Sequence, residues 1–103
     1  MILAIDFDET YTRDPALWDG LLSAAMARGH RVFCVSARHE RQMGQVRETI
    51  GRLIGPEACF GTGGVPKRRF MADVVDTHVD VWIDDAPESV VDYPDPDPEP
   101  GPA

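Results

Sequence analysis

Four groups of residues in this chain are able to do chemistry together: Asp6-Phe7-Asp8-Glu9-Thr10, Ser36-Ala37-Arg38-His39, Lys67 with Arg68 and Arg69, and Asp84-Asp85. The first and last are acid pairs that close apolar runs, ILAI at 2–5 and VDVWI at 79–83. Uncompensated anions at the end of a buried strand repel one another and resist burial, so a cation must answer them. Hard carboxylate oxygens suit Mg²⁺, which takes one or two carboxylates, a carbonyl, waters and substrate phosphate oxygens. His30, His39, His78, Cys34 and Cys59 have no zinc-ligand spacing. Ser36 follows the apolar run RVFCV, where a hydroxyl and the next backbone N–H groups could hold the oxygens of an anion. Lys67 is the only lysine among ten basic residues. Its compact ammonium, beside a helix start, could neutralise both carboxylate and phosphate.

The elements that must position these groups follow from the spacing of apolar residues. Ile2–Ile5 is a short run without a helical stripe and reads as a buried strand. Asp14-Pro15 is a helix start, Leu17, Trp18, Leu21, Leu22, Ala25 and Met26 recur at helical spacing, and Gly29 ends the helix. Residues 31–35 form a second strand. Met43, Val46, Ile50 and Leu53 predict a second helix over 40–54, weakened at Gly44 and Gly51. Residues 57–60 read as a third strand. Pro66 opens a third helix with Phe70, Val74 and Met71 inward, and 79–83 is a fourth strand. Residues 86–91 fit a helical turn. Alternating strands and helices predict a parallel sheet with helices on both faces, which binds ligands beyond the carboxyl ends of its strands. All four chemical groups fall at that edge.

Composition narrows the function. At 103 residues the chain has the length of one domain, with 43% apolar and 27% charged residues, an ordinary globular balance. Its net charge of −8 is uneven. Segment 92–103 carries four acids and no base, and alternates proline from Pro94 to Pro102, which predicts an extended, disordered tail after a folded body at 1–91. Without it, ten bases still face fourteen acids, which disfavours a phosphate-backbone binder but permits a phosphorylated small molecule, or the phosphorylated end of a larger substrate, held by a few local cations. Two cysteines in apolar stretches, no charged-then-apolar leader and no run of membrane-span length predict a cytosolic protein. Gly61-Thr62-Gly63-Gly64 lacks the Gly-Lys-[Ser/Thr] of a nucleotide P-loop.

The motif set resembles the haloacid dehalogenase superfamily. Asp6-Phe7-Asp8-Glu9-Thr10 is similar to its DxDxT first motif, Ser36 to the second, Lys67 to the third and Asp84-Asp85 to the fourth, in the family's order across residues 1–91. The resemblance implies a doubly wound, three-layer (Rossmann-like) parallel sheet of four or five strands in the order 3-2-1-4, although Val90-Val91 is too short to promise the fifth. It also implies a Mg²⁺-dependent phosphomonoester hydrolase. Asp6 would be the nucleophile and Asp8 the general acid/base. Asp6, the Asp8 main-chain carbonyl and Asp84 would hold Mg²⁺, with Asp85 behind them fixing a metal-bound water or Lys67. Ser36, the Ala37 N–H and Lys67 would hold the phosphoryl oxygens, and Thr10 would brace the loop.

Glu9 departs from the family, whose phosphatases often have glycine there. The short spacings 10–31 and 40–66 leave no space for a cap domain, so specificity is expected from the rim (Glu9, Arg38, His39, Arg68 and Arg69), from a partner subunit or from a large substrate. The fourth strand would be an open edge, which predicts a homo-oligomer through 79–83 or Trp82. Two rivals stand beside the phosphatase: a receiver-like phosphoacceptor domain and a catalytically silent binding module. Receivers place their acid pair on the first strand, whereas here one pair comes last, and intact Asp6 and Asp8 argue against silence.

Overall fold

The protein's structure, a computed structural model, describes residues 1–91. The proline-acid segment 92–103 lies outside the described residues. Four strands, β1 (Ile2–Ile5), β2 (Arg31–Ser36), β3 (Cys59–Gly61) and β4 (Val81–Ile83), form one sheet in the order β3-β2-β1-β4. Every pairing is parallel. The helices α1 (Pro15–Ala27), α2 (Gly44–Glu48), α3 (Ile50–Ile54) and α4 (Lys67–Asp73) lie between the strands in sequence, so the chain is an α/β fold.

The parallel arrangement follows from strand composition. β1 and β2 are apolar on both faces, and a strand of that kind is stable only with cover on each side. Successive residues therefore serve two apolar clusters. Ile5, Val32, Cys34 and Cys59 pack with Leu22 of α1, Met43, Val46 of α2 and Ile50 of α3. Ala4, Phe33 and Val35 pack with Met71 of α4, Ala58 and Val79. Burying one side chain such as Leu22 or Ile50 contributes about 1.5–3 kcal/mol.

α1 begins and ends where its flanking residues predict. The Asp14 side chain accepts the Leu17 N–H at 3.2 Å, and Pro15 is the first helical residue. Gly29, at φ 88°, takes the left-handed conformation that ends the helix, its N–H donating to the Met26 carbonyl. The expected helix over 40–54 is instead broken into a 3-10 turn at Glu40–Gln42, α2 and α3. Thr49 sits at the break, with its hydroxyl on the Gln45 and Val46 carbonyls at 2.8 and 3.3 Å, a back-bond that bends helices. Val74 is also not inward: it is exposed, and Met71 and half-buried Phe70 carry the packing of α4. Leu17 and Leu21 of α1 are 54% and 42% exposed, because the sheet stops at β4 and nothing among the described residues covers that flank. No helix among the described residues is long and apolar enough to cross a membrane.

β1 stops at Ile5 and β2 at Ser36, and the register sets Ile5 beside Cys34 and Ile83. The carboxyl ends of the two central strands and of β4 thus open onto one edge, which carries Asp6, Ser36 and Asp84.

Candidate active site

At that edge Asp6 leaves β1 with its backbone N–H still bonded to the Ile83 carbonyl at 2.9 Å. This bond ties the first acid to the strand that delivers Asp84 and Asp85. The segment then coils tightly: the Thr10, Tyr11 and Thr12 N–H groups donate to the Phe7, Asp6 and Phe7 carbonyls. Phe7 is 1% exposed and stacks on Tyr11, which anchors the turn in the core while Asp8 and Glu9 face solvent. Glu9 adopts φ 64°, a left-handed conformation that favours glycine and costs a side chain of this kind of order 1 kcal/mol. Its N–H donates to Thr12 Oγ1 at 3.1 Å, which helps hold the turn.

Lys67, the first residue of α4, delivers the answering charge. Its Nζ lies 2.9 Å from Asp6 Oδ1 and 2.6 Å from Asp84 Oδ2. All three side chains are below a tenth exposed, so these are charge-assisted bonds in a poorly hydrated setting. Asp84 is fixed further by the Ala86 N–H on Oδ1 at 2.9 Å and by the Ser89 hydroxyl on Oδ2. Thr10 bridges the two acid pairs: its hydroxyl reaches Asp6 Oδ2 at 3.3 Å and Asp85 Oδ1 at 3.1 Å, and accepts the Asp85 N–H at 3.1 Å.

One oxygen from each of Asp6, Asp84 and Asp85 lies within 4.8 Å of the others. Three carboxylates against one ammonium leave two negative charges, the complement of a divalent cation, and an all-oxygen donor set suits a hard ion. Burial pushes the Asp6 carboxyl up to about 6, although Lys67 pulls it down. A hydrogen bond from Asp6 holds Asp85 below the usual carboxylate range.

Ser36 is 1% exposed at the end of β2, and its Oγ accepts the Arg38 N–H at 3.1 Å. Ala37 is exposed in the turn that follows. The β3 end closes on this turn: the Thr62 N–H donates to the Ser36 carbonyl at 2.8 Å and the Gly63 N–H to the Arg38 carbonyl at 3.0 Å. A side chain at Gly61 has no space, since a Cβ there would lie 2.6 Å from the Arg38 carbonyl oxygen.

Sequence reasoning reads Asp8 as poised at the reacting centre and Arg38 as a rim residue, but the two are joined. Arg38 Nε and Nη2 grip Asp8 Oδ2 and Oδ1 at 2.9 and 2.8 Å. This fork holds Asp8 below the usual carboxylate range. Of the other rim residues, Arg68 is exposed with its backbone N–H on the Val90 carbonyl at 2.9 Å, and Arg69 is exposed. His39 is exposed and caps the Glu40–Gln42 turn together with Gln42. Sequence reasoning missed Ser89 and Gln45. For Ser89 a signal exists in the chain, a hydroxyl residue in the tight turn that follows an aspartate.

A scan against protein-family models finds no match, and neither a search of curated proteins nor one of solved structures returns one.

Proposed function

We propose that the chain is a Mg²⁺-dependent phosphomonoester hydrolase of the haloacid dehalogenase type, cytosolic and without a cap. The observation that carries this reading is the convergence of Asp6, Lys67 and Asp84 within 2.6–2.9 Å contacts from three separate elements. The order β3-β2-β1-β4 and the two apolar clusters built by alternate strand residues support a doubly wound, three-layer arrangement. The single helix α1 between β1 and β2, and the short elements between β2 and β3, support the absence of a cap. Two buried free cysteines support a reducing compartment.

In this mechanism an Asp6 carboxylate oxygen attacks phosphorus. The phosphorus–oxygen ester bond breaks, and the leaving oxygen takes a proton from Asp8 to become the alcohol. Water then attacks the phosphorus of the aspartyl-phosphate, Asp8 takes a proton from it, and Asp6 is released with inorganic phosphate. Lys67, Ser36 and the Ala37 N–H hold the equatorial oxygens, and Lys67 keeps Asp6 oriented for in-line attack. Asp6, Asp84 and the Asp8 carbonyl would hold Mg²⁺, with Asp85 close enough to serve directly or through water; the ion would supply charge neutralisation for the incoming phosphoryl group. Substrates are phosphorylated small molecules or the phosphorylated end of a larger one.

We propose also that a second copy of the chain covers the β4 edge. β4 pairs only with β1 among the described residues, and Val81 is 38% exposed there. Trp82 instead packs against the cluster around Met71.

Hydrolysis of p-nitrophenyl phosphate tests the reading. Turnover is expected with Mg²⁺ and not with a chelator, and Asp6→Asn should lower it by about three orders of magnitude or more. A fully active Asp6→Asn protein would overturn the mechanism. Absence of turnover in the wild type, with beryllofluoride bound at Asp6, would favour the receiver-like or binding-module reading.

A further inference from the structure

The Arg38 guanidinium is fixed by more than Asp8. Its Nη1 donates to the Gln42 carbonyl at 3.0 Å, Nη2 also reaches Gln45 Oε1 at 3.4 Å, and the group lies 5.2 Å from the centroid of the buried Phe7 ring. Its backbone is bonded on both sides, N–H to Ser36 Oγ and carbonyl to the Gly63 N–H. The Arg38 side chain is 25% exposed, the Asp8 side chain 52%. The arginine is therefore the anchored member of the pair and the carboxylate the movable one. A planar fork gripping a carboxylate is equally matched to one face of a phosphate or to another carboxylate.

We propose that Arg38 is a second anion site, and that the preferred substrates are phosphomonoesters carrying a further phosphate or carboxylate near the scissile phosphate. This rests on the phosphatase reading for its catalytic consequence, though not for its binding one. Asp8 stands two residues from Asp6, so the two Cα atoms are at most about 7 Å apart. The fork thus opens beside the reacting phosphoryl group and not across the molecule from it. When the second anion takes the fork, Asp8 is displaced and becomes free to turn toward the leaving oxygen. A plain monoester offers nothing to displace it, so Asp8 is freed only when its own bonds to Arg38 open, and turnover is slower. In a site without a cap, this exchange couples substrate identity to the freeing of the acid/base. Arg38 is a specificity residue here, and a positioning residue toward Asp8.

Two substrate pairs test the exchange: adenosine 3′,5′-bisphosphate against adenosine 3′-phosphate, and 2-phosphoglycerate against glycerol 2-phosphate. The wild type should favour the second-anion member of each pair by about tenfold or more in kcat/KM, the scale of one exchanged charge-assisted pair. Arg38→Met should bring both ratios close to one, raising KM for the second-anion substrates while raising kcat for the plain monoesters, because Asp8 is no longer held. Arg38→Lys, which keeps the charge and loses the fork, should restore only part of the preference. Preference within the adenosine pair alone would assign the fork to phosphate, and within the glycerate pair alone to carboxylate. Equilibrium binding of the same four compounds to Asp6→Asn protein, with and without Arg38→Met, reads the site without turnover. If the wild type hydrolyses nothing, the phosphatase reading falls and the binding comparison still decides the anion site. Equal affinities within both pairs, or a preference that survives Arg38→Met in folded protein, would overturn the proposal.

Discussion

Lys67 is the residue on which the acid cluster depends. It is 2% exposed and bonds two carboxylates that are themselves nearly buried. Lys67→Met leaves both without a cation, and breaking a buried pair of this kind costs about 3–5 kcal/mol, to be measured as a fall in the urea midpoint. Asp6 adds a pH dependence whose sign follows from its position. Its folded pKa of about 6 lies above the 3.8 of an ordinary aspartate, so the unfolded chain gives up this proton first as pH rises. Its contribution to stability is fully present below pH 3.8 and is lost as pH climbs through about 6. The difference in stability between metal-free wild type and Asp6→Asn should therefore shift against the wild type across that interval. Asp8 and Asp85, held low, act in the opposite sense toward acid pH, which is why the comparison must be made with the variant. An ion needs ionised Asp6, so Mg²⁺ affinity should rise through the same range, as read by calorimetry.

At the scale of elements, the site depends on loops that meet rather than on any one strand. The end of β2 carries Ser36 and the turn after it carries Arg38, and both are held against the end of β3 by backbone bonds at Thr62 and Gly63. Gly61 permits that approach. Gly61→Ala places a methyl group 2.6 Å from the Arg38 carbonyl and 2.9 Å from Met43 Cγ, so the turn must move. We expect a loss of about 1–3 kcal/mol, the usual cost of overpacking, together with weaker substrate binding. Intact affinity in Gly61→Ala would show that the turn tolerates displacement. The break at Thr49 has a different origin. The apolar spacing of Met43, Val46 and Ile50 is helical, and all three are fully buried. Their burial survives the interruption because α2 and α3 stay packed on the same cluster.

For the whole molecule, the open flank is the main liability. Leu17, Trp18 and Ile83 line a cleft of about 400 Å³ that also reaches Thr10, Asp84 and Asp85. The cleft lies beside the edge of β4, with exposed Val81 on that strand. A second copy placed there would shield apolar surface and stiffen the loop that bears Asp84. Light scattering at micromolar concentration should give about twice the 11.4 kDa of one chain, and Val81→Lys should return it to the single-chain mass, since an edge lysine opposes strand pairing. A single-chain mass for the wild type would exclude this assembly.

Much of the architecture is legible in the sequence. Short apolar runs at 2–5 and 32–35 required buried strands, their alternation with helical segments required a parallel sheet, and Asp14-Pro15 and Gly29 bounded α1 through local backbone chemistry. The order of the four motifs placed Asp6, Ser36 and Asp84 at one edge, because in a parallel sheet every strand end of that polarity opens on the same side, with Lys67 at the start of the helix that follows β3. Other features depended on distance in space. The helix break required the Thr49 hydroxyl to compete for its own backbone, and the exposure of Leu17 and Leu21 followed from where the sheet ended. The grip of Arg38 on Asp8 joins residues thirty positions apart, and neither side chain's type or spacing specifies the other as its partner. Local chemistry in the sequence determined which groups would meet at the edge. Only the packing of β1, β2 and α4 decided that Lys67 answers Asp6 and Asp84, and that Arg38 grips Asp8.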